Sequence, residues 1–151
     1  MEYDKTRYFK LLKEAESLKK KGMSLYDEDR EKYMELLEYE VRLEDQIYWE
    51  NREKYFSVMN NLLNEQLPAE DFIGEFLCLW ENDRDRSTVN CDPNIGSKDF
   101  GKWINKIFFY CEDFEPEAQK KEKYGEKWLK DGVSNLLIKI QKEYNSNDNA
   151  D

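Results

Sequence analysis

FGKWINKIFFYCEDFEPEAQKKEKYGEKWLKDGVSNLLIKI, residues 100–140, carries two apolar stripes at helical spacing joined by an acidic connection. Phe100, Trp103, Ile104, Ile107, Phe108 and Cys111 follow a 3.6-residue period, and Leu129, Val133, Leu136, Leu137, Ile140 and Tyr144 repeat it. The spacing predicts two amphipathic helices, the first capped by Ser97 and the second spanning roughly 126–144, with "NSNDNAD" as a frayed tail. Between them, Glu112, Asp113, Glu115 and Glu117 place four carboxylates within six residues, with Phe114 and Pro116 among them. Pro116 pushes Glu115 into an extended conformation, which stops the first helix, and can itself open a short helical turn.

The same period extends toward the N-terminus. Pro68 suits the first turn of a helix whose Glu70 and Asp71 match its positive end, and Phe72, Ile73, Phe76, Leu77 and Trp80 share one face. "ENDRDRSTVNCDPNIGS", residues 81–97, is polar and rich in turn formers, and reads as a loop, either a connector or a second contact loop. A longer helix is expected over about 28–64, its 3,4 spacing selecting Met34, Leu37, Val41, Glu44, Tyr48, Asn51, Tyr55, Val58 and Leu62. Glu44 and Asn51 interrupt that seam. Residues 3–21 form the first helix, with Tyr8, Leu11, Leu12, Ala15 and Leu18 on one face and "KKKG" closing it. The chain is therefore expected to be all-α. Its parts are an N-terminal helical hairpin over 1–64, whose second helix continues into the bundle, an acidic helical bundle over 65–145, and a tail over 146–151.

Composition narrows the function. The 151 residues amount to about one domain, with 38% charged side chains and 15% aromatic ones to fill a lean core. The net charge is −10, and residues 67–117 hold 12 acidic against 5 basic side chains, so most of the excess sits in the middle third. Such a surface repels phosphate backbones and anionic membranes, which disfavours direct nucleic-acid binding and makes a basic protein surface the natural partner. No apolar run approaches the ~20 residues of a membrane span, and the expected location is cytoplasmic, or an organelle matrix or stroma if the gene is organellar.

Catalysis is not expected. Without histidine there is no imidazole base, and the six glycines build neither of the common phosphate-cradling loops. Three scattered cysteines and no histidine make a metal site or cofactor unexpected, and Cys78 and Cys111 read as small core residues. The acidic connection has two readings. It is either a solvated turn whose acids match a helix dipole, or a surface for something positive, with Phe114 anchoring the turn or meeting the partner.

"CEDFEPEAQKKEKY" followed by "LKDGVSNLLIKI" resembles the C-terminal half of the colicin D immunity protein family, which has a similar acidic turn after an amphipathic helix, then a tyrosine and a last helix of like pattern. "PAEDFIGEFLCLWENDRD" looks like that family's second helix, so the resemblance covers about residues 65–144. It implies an antiparallel four-helix bundle that inhibits a tRNA-cleaving toxin by setting carboxylates in the groove meant for RNA phosphates. Carried over by position, the contacting acids are Glu112, Glu115 and Glu117. Asp113 stands where the family has a basic residue and Gln119 where it has an acid. The candidate partner-binding set is Glu112, Asp113, Phe114, Glu115 and Glu117. The first 60 or so residues have no counterpart, apart from the end of the long helix, which can serve as the family's first bundle helix, and suggest the alternative of a structural or adaptor subunit that docks or self-associates through its N-terminal hairpin.

Overall fold

The computed structural model describes residues 2–88, 91, 99–119 and 122–148. It is all-helical over those residues: α1 (Lys5–Lys20), α2 (Leu25–Glu28), α3 (Arg30–Glu50), α4 (Arg52–Leu63), α5 (Ala69–Asp85), α6 (Phe100–Asp113) and α7 (Glu126–Asp148). Local chemistry sets several boundaries. The Asp4, Ser24 and Asp29 side chains accept from the backbone N–H three residues on and cap α1, α2 and α3. Gly22 at φ 73° supplies the left-handed residue just past α1. The expected capping residue of α6, Ser97, lies outside the described residues. Helix α7 runs through Asp148, so residues 146–148 of the expected tail are helical.

Apolar side chains gather in two cores. The larger joins α4 to α7, each of these helices packing on the next and α7 returning to α4, so that four helices close a ring. Its centre holds Tyr55, Phe72, Phe76, Phe100, Ile104, Ile107, Leu129, Val133 and Ile140, all fully buried. The smaller core belongs to α1, α2 and α3, with Tyr8, Leu11, Leu25, Leu36, Tyr39, Leu43 and Ile47, and receives Cys91 from the connection after α5. Tyr8 Oη and Thr88 Oγ1 lie 2.7 Å apart, Tyr3 Oη donates to the Cys91 carbonyl at 3.4 Å, and Arg86 pairs with Glu50 at 3.0 Å. These contacts fasten that connection across the N-terminal unit.

The long helix is interrupted at Asn51, whose φ of −96° and ψ of 11° end α3 and open α4, and α4 forms one side of the four-helix ring. The seam also changes side. Met34 and Val41 are 50% and 54% exposed and Leu37 is half-buried, while Leu36, Tyr39, Leu43 and Ile47 face α1. Both sets keep 3,4 spacing, and only the position of α1 selects between them. From Tyr48 onward the expected positions Tyr48, Tyr55, Val58 and Leu62 are buried.

Two further corrections concern α5. Cys78 is exposed and not in the core, because it lies two residues beyond Phe76, about 200° round the helix. The helix also continues to Asp85 through residues expected to be loop. Asp83 is buried there and accepts from Asn51 Nδ2 and Tyr55 Oη, both at 2.6 Å. Two donors at one carboxylate make a polar helix end compatible with burial.

Candidate functional site

The acidic turn sits where α6 leaves the bundle. Helix α6 ends at Asp113, and Phe114 turns extended at φ −63°, ψ 132°. Glu115 N–H donates to the Tyr124 carbonyl at 2.7 Å and Ala118 N–H to the Glu115 carbonyl at 3.1 Å, so a tight turn with Pro116 at its second position projects from a closed base. Gly125 seals that base, since a Cβ there would come within 2.8 Å of the Gln119 carbonyl. The Tyr124 ring meets Trp128 at 5.0 Å, and Trp128 meets Tyr110 at 4.8 Å. The backbone under the carboxylates is thus held on both sides.

Glu112, Asp113, Glu115 and Glu117 are all exposed, and none forms a salt bridge among the described residues. Lys120 and Lys121, the nearest offsetting charges in sequence, lie outside those residues. Lys123 sits 4.8 Å over the Tyr124 ring; its ammonium is held above its ordinary range chiefly by the Tyr124 hydroxyl, with a smaller contribution from Asp113. Phe114 is half-buried against the bundle core, so it anchors the turn.

A cleft of about 520 Å³ separates the turn from the start of α5, with Phe114, Pro116 and Ala118 on one wall and Pro68 and Ala69 on the other. Glu70 and Asp71 edge the α5 side and are exposed, which extends the negative surface across the cleft. Glu126 also lines it, but pairs with Lys130 at 2.8 Å. The acids of α5 and α7 lie in first turns, where they also match the helix dipoles.

Two carboxylates outside this turn, Asp45 and Asp83, were not singled out by the sequence. Asp45 on α3 is 9% exposed and its Oδ1 accepts from Gly101 N–H at 2.9 Å. Burial raises its carboxyl to about 6, against the lowering effect of that bond, with Asp99 and Glu44 adding repulsion. Burial likewise raises the Asp83 carboxyl, and the Tyr55 hydroxyl is driven up by burial and by that carboxylate. Cys111 is buried, its thiol pushed up to about 12, which makes it an inert packing group. The polar, half-helical spacing of Asn51 in an apolar seam was the one sequence signal for the Asp83 network.

Among the described residues, no three or more Cys, Asp or Glu side chains are grouped to hold a metal ion, and no helix is long and apolar enough to cross a membrane. The arrangement offers charge display on a fixed backbone. No known family model, curated protein or solved structure matches the chain.

Proposed function

We propose that this chain is a non-enzymatic acidic binding protein of immunity type, an inhibitor whose acidic turn enters the basic groove of a toxin ribonuclease in place of RNA phosphates. The observation that carries the proposal is the state of the turn. Four exposed carboxylates project from a clasped backbone, without a salt bridge to any described cation. A purely solvated turn needs no such clasp.

The physics of inhibition follows from charge and rigidity. A groove built for a polyanion concentrates Lys and Arg, and a fixed set of carboxylates replaces phosphates without presenting a scissile bond. Charge complementarity accelerates encounter, to about 10⁸–10⁹ M⁻¹s⁻¹ at low salt, and the gain falls as salt rises. Residence depends on pairs that become desolvated, where truncating one partner costs roughly 2–5 kcal/mol. A rigid turn loses little conformational freedom on docking. The four-helix ring of α4–α7 supports a helical bundle, and the immunity type is proposed on the resemblance over about residues 65–144.

The test is affinity capture from the native host at low and high salt, with the natural chain and with Glu112, Glu115 and Glu117 changed to Gln. A basic nuclease captured by the natural chain, lost with the triple change and weakened by salt, supports inhibition. A partner indifferent to those changes rejects it. The separate core of α1–α3 favours a second reading, an adaptor subunit tethered through that unit, because an inhibitory turn requires no such addition.

A further inference from the structure

We propose that the outward face of α3 is a second docking surface, separate from the acidic turn, and that its occupant is an amphipathic helix of a partner protein with Lys or Arg flanking its apolar stripe. Large exposed apolar side chains are few among the described residues, and four of the six, Met23, Tyr26, Met34 and Val41, fall within residues 23–41. Single exposed apolar residues scattered over a surface need no explanation, whereas contiguous ones mark interaction sites. Met34, Leu37 and Val41 stand at i, i+3 and i+7, so they form one stripe along α3. Tyr33 borders it and meets Tyr26 edge-on at 5.1 Å, which carries the apolar surface back to α2. The opposite face of α3 is already committed to α1 through Leu36, Tyr39, Leu43 and Ile47. Over residues 34–41, α3 therefore carries a second apolar stripe whose two end residues, Met34 and Val41, are left exposed.

The charges along the stripe decide what can cover it. Glu31 and Glu38 border one side, Glu40 and Glu44 the other, and none of the four has a hydrogen bond or ion pair among the described residues. Glu40 and Glu44 are half-buried and held above the usual carboxylate range, mainly by burial. Of the nearby cations, Arg84 and Arg86 share a cleft with Glu40 and Glu44 but pair with Asp85 and Glu50, Arg30 stacks at 3.8 Å over the Tyr26 ring, and Arg42 lies beyond Glu38, away from the stripe. A second copy of the same helix is disfavoured by sign, since an antiparallel pair sets Glu31 and Glu38 against each other. A helix with cationic flanks meets acids on both borders and covers the stripe between them.

This surface lies at the opposite end of α6 from the acidic turn. Gly101, at the start of α6, contacts Asp45 on α3, while the turn follows Asp113, and fourteen helical residues separate the ends by about 20 Å. The two surfaces can thus fail independently.

The test uses the full chain and two labelled synthetic helical peptides with identical Leu stripes, one flanked by Lys and one by Glu, read by fluorescence anisotropy. The Lys-flanked peptide is expected to bind and the Glu-flanked one not. Met34→Asp with Val41→Asp, both at exposed positions, should weaken binding by at least about tenfold, as should Glu38→Lys with Glu40→Lys. The Glu112, Glu115 and Glu117 to Gln chain should bind the peptide as the natural chain does. Absence of binding by the Lys-flanked peptide overturns the proposal. Equal binding to the Met34→Asp, Val41→Asp chain also overturns it, since attraction to the net charge alone would then account for the signal. Self-association in sedimentation, abolished by the same two Asp changes, would assign the face to a second copy and overturn it as well.

Discussion

Asp45 of α3 serves as the N-terminal cap of α6: its Oδ1 accepts the Gly101 N–H at 2.9 Å, while Asp99, the residue just before the helix, sits at φ 51° and makes no side-chain cap bond. One buried carboxylate therefore couples the helix shared by both cores to the helix that presents the acidic turn. Gly101 has no room for a side chain, because a Cβ there would collide with Asp45 Oδ1. Asp45→Ala should lower stability by about 0.5–2 kcal/mol, the usual worth of an N-terminal cap, with Asp45→Asn closer to the natural chain. Urea unfolding of the three proteins measures both.

The same carboxylate makes stability depend on pH. Its folded value, about 6, lies above the ordinary 3.8, so protonation favours the folded state. The contribution is fully present below the ordinary value and is lost as pH rises through about 6. Burial sets the direction; Asp99 and Glu44 reinforce it, and Lys102 opposes it. Glu40, Glu44 and Asp83 are shifted the same way, so the natural chain alone would not isolate Asp45. The difference in midpoint between the natural chain and Asp45→Asn should grow in favour of the natural chain as pH falls from about 7 to about 5. A difference independent of pH would show that Asp45 does not titrate in that window.

Asp83 holds the break between α3 and α4 by accepting from Asn51 and Tyr55. Asp83→Ala leaves the Tyr55 hydroxyl buried without its acceptor, and should cost about 1–3 kcal/mol. Tyr55→Phe in that background should recover part of the loss, since it removes the orphaned donor. A double-mutant cycle in chemical denaturation tests the coupling; additive effects would contradict it.

How far the sequence can be read follows from these residues. Phe72, Phe76, Phe100, Ile104, Ile107, Leu129, Val133 and Ile140 were legible from the period of 3.6, since each helix offers the bundle a single apolar stripe. In α3, the Leu36–Ile47 and Met34–Val41 stripes obey the same spacing, and the choice depends on where α1 packs, which the spacing within α3 does not encode. The acidic turn was legible as composition and proline chemistry. Its clasp from Glu115 to Tyr124 was not, because backbone pairing carries no side-chain signature. Nothing in the spacing singled out Asp45 or Asp83, and the donors that accompany their burial lie 56 and 32 residues away.

Phe114 separates anchoring from recognition. Its half-buried ring packs on the bundle core, so Phe114→Ala should destabilise the chain by about 1–2 kcal/mol, less than the 3–5 of a fully buried phenylalanine. The Glu112, Glu115 and Glu117 to Gln chain should keep the natural thermal midpoint, because those side chains are exposed. An unchanged midpoint for Phe114→Ala would place the ring on the partner side of the turn.

The closeness of α6 and α7 depends on Gly132. A Cβ at that position would meet three atoms of the Tyr110 ring, the nearest well inside van der Waals contact and none farther than 2.8 Å. Tyr110 is itself wedged against Trp128 at 4.8 Å, so the ring has little freedom to retreat. Gly132→Ala would ordinarily favour a helix interior by about 0.8–1.0 kcal/mol. Overpacking costs typically 1–3 kcal/mol and should win here, giving a net loss of stability. Removing the ring should reverse the sign: in a Tyr110→Ala background, Gly132→Ala should become neutral or stabilising. Tyr110→Phe should give no such relief, because the colliding ring carbons remain. If Gly132→Ala destabilises equally in the natural and Tyr110→Ala chains, the clash is not the cause, and α6 and α7 are held at their distance by other contacts.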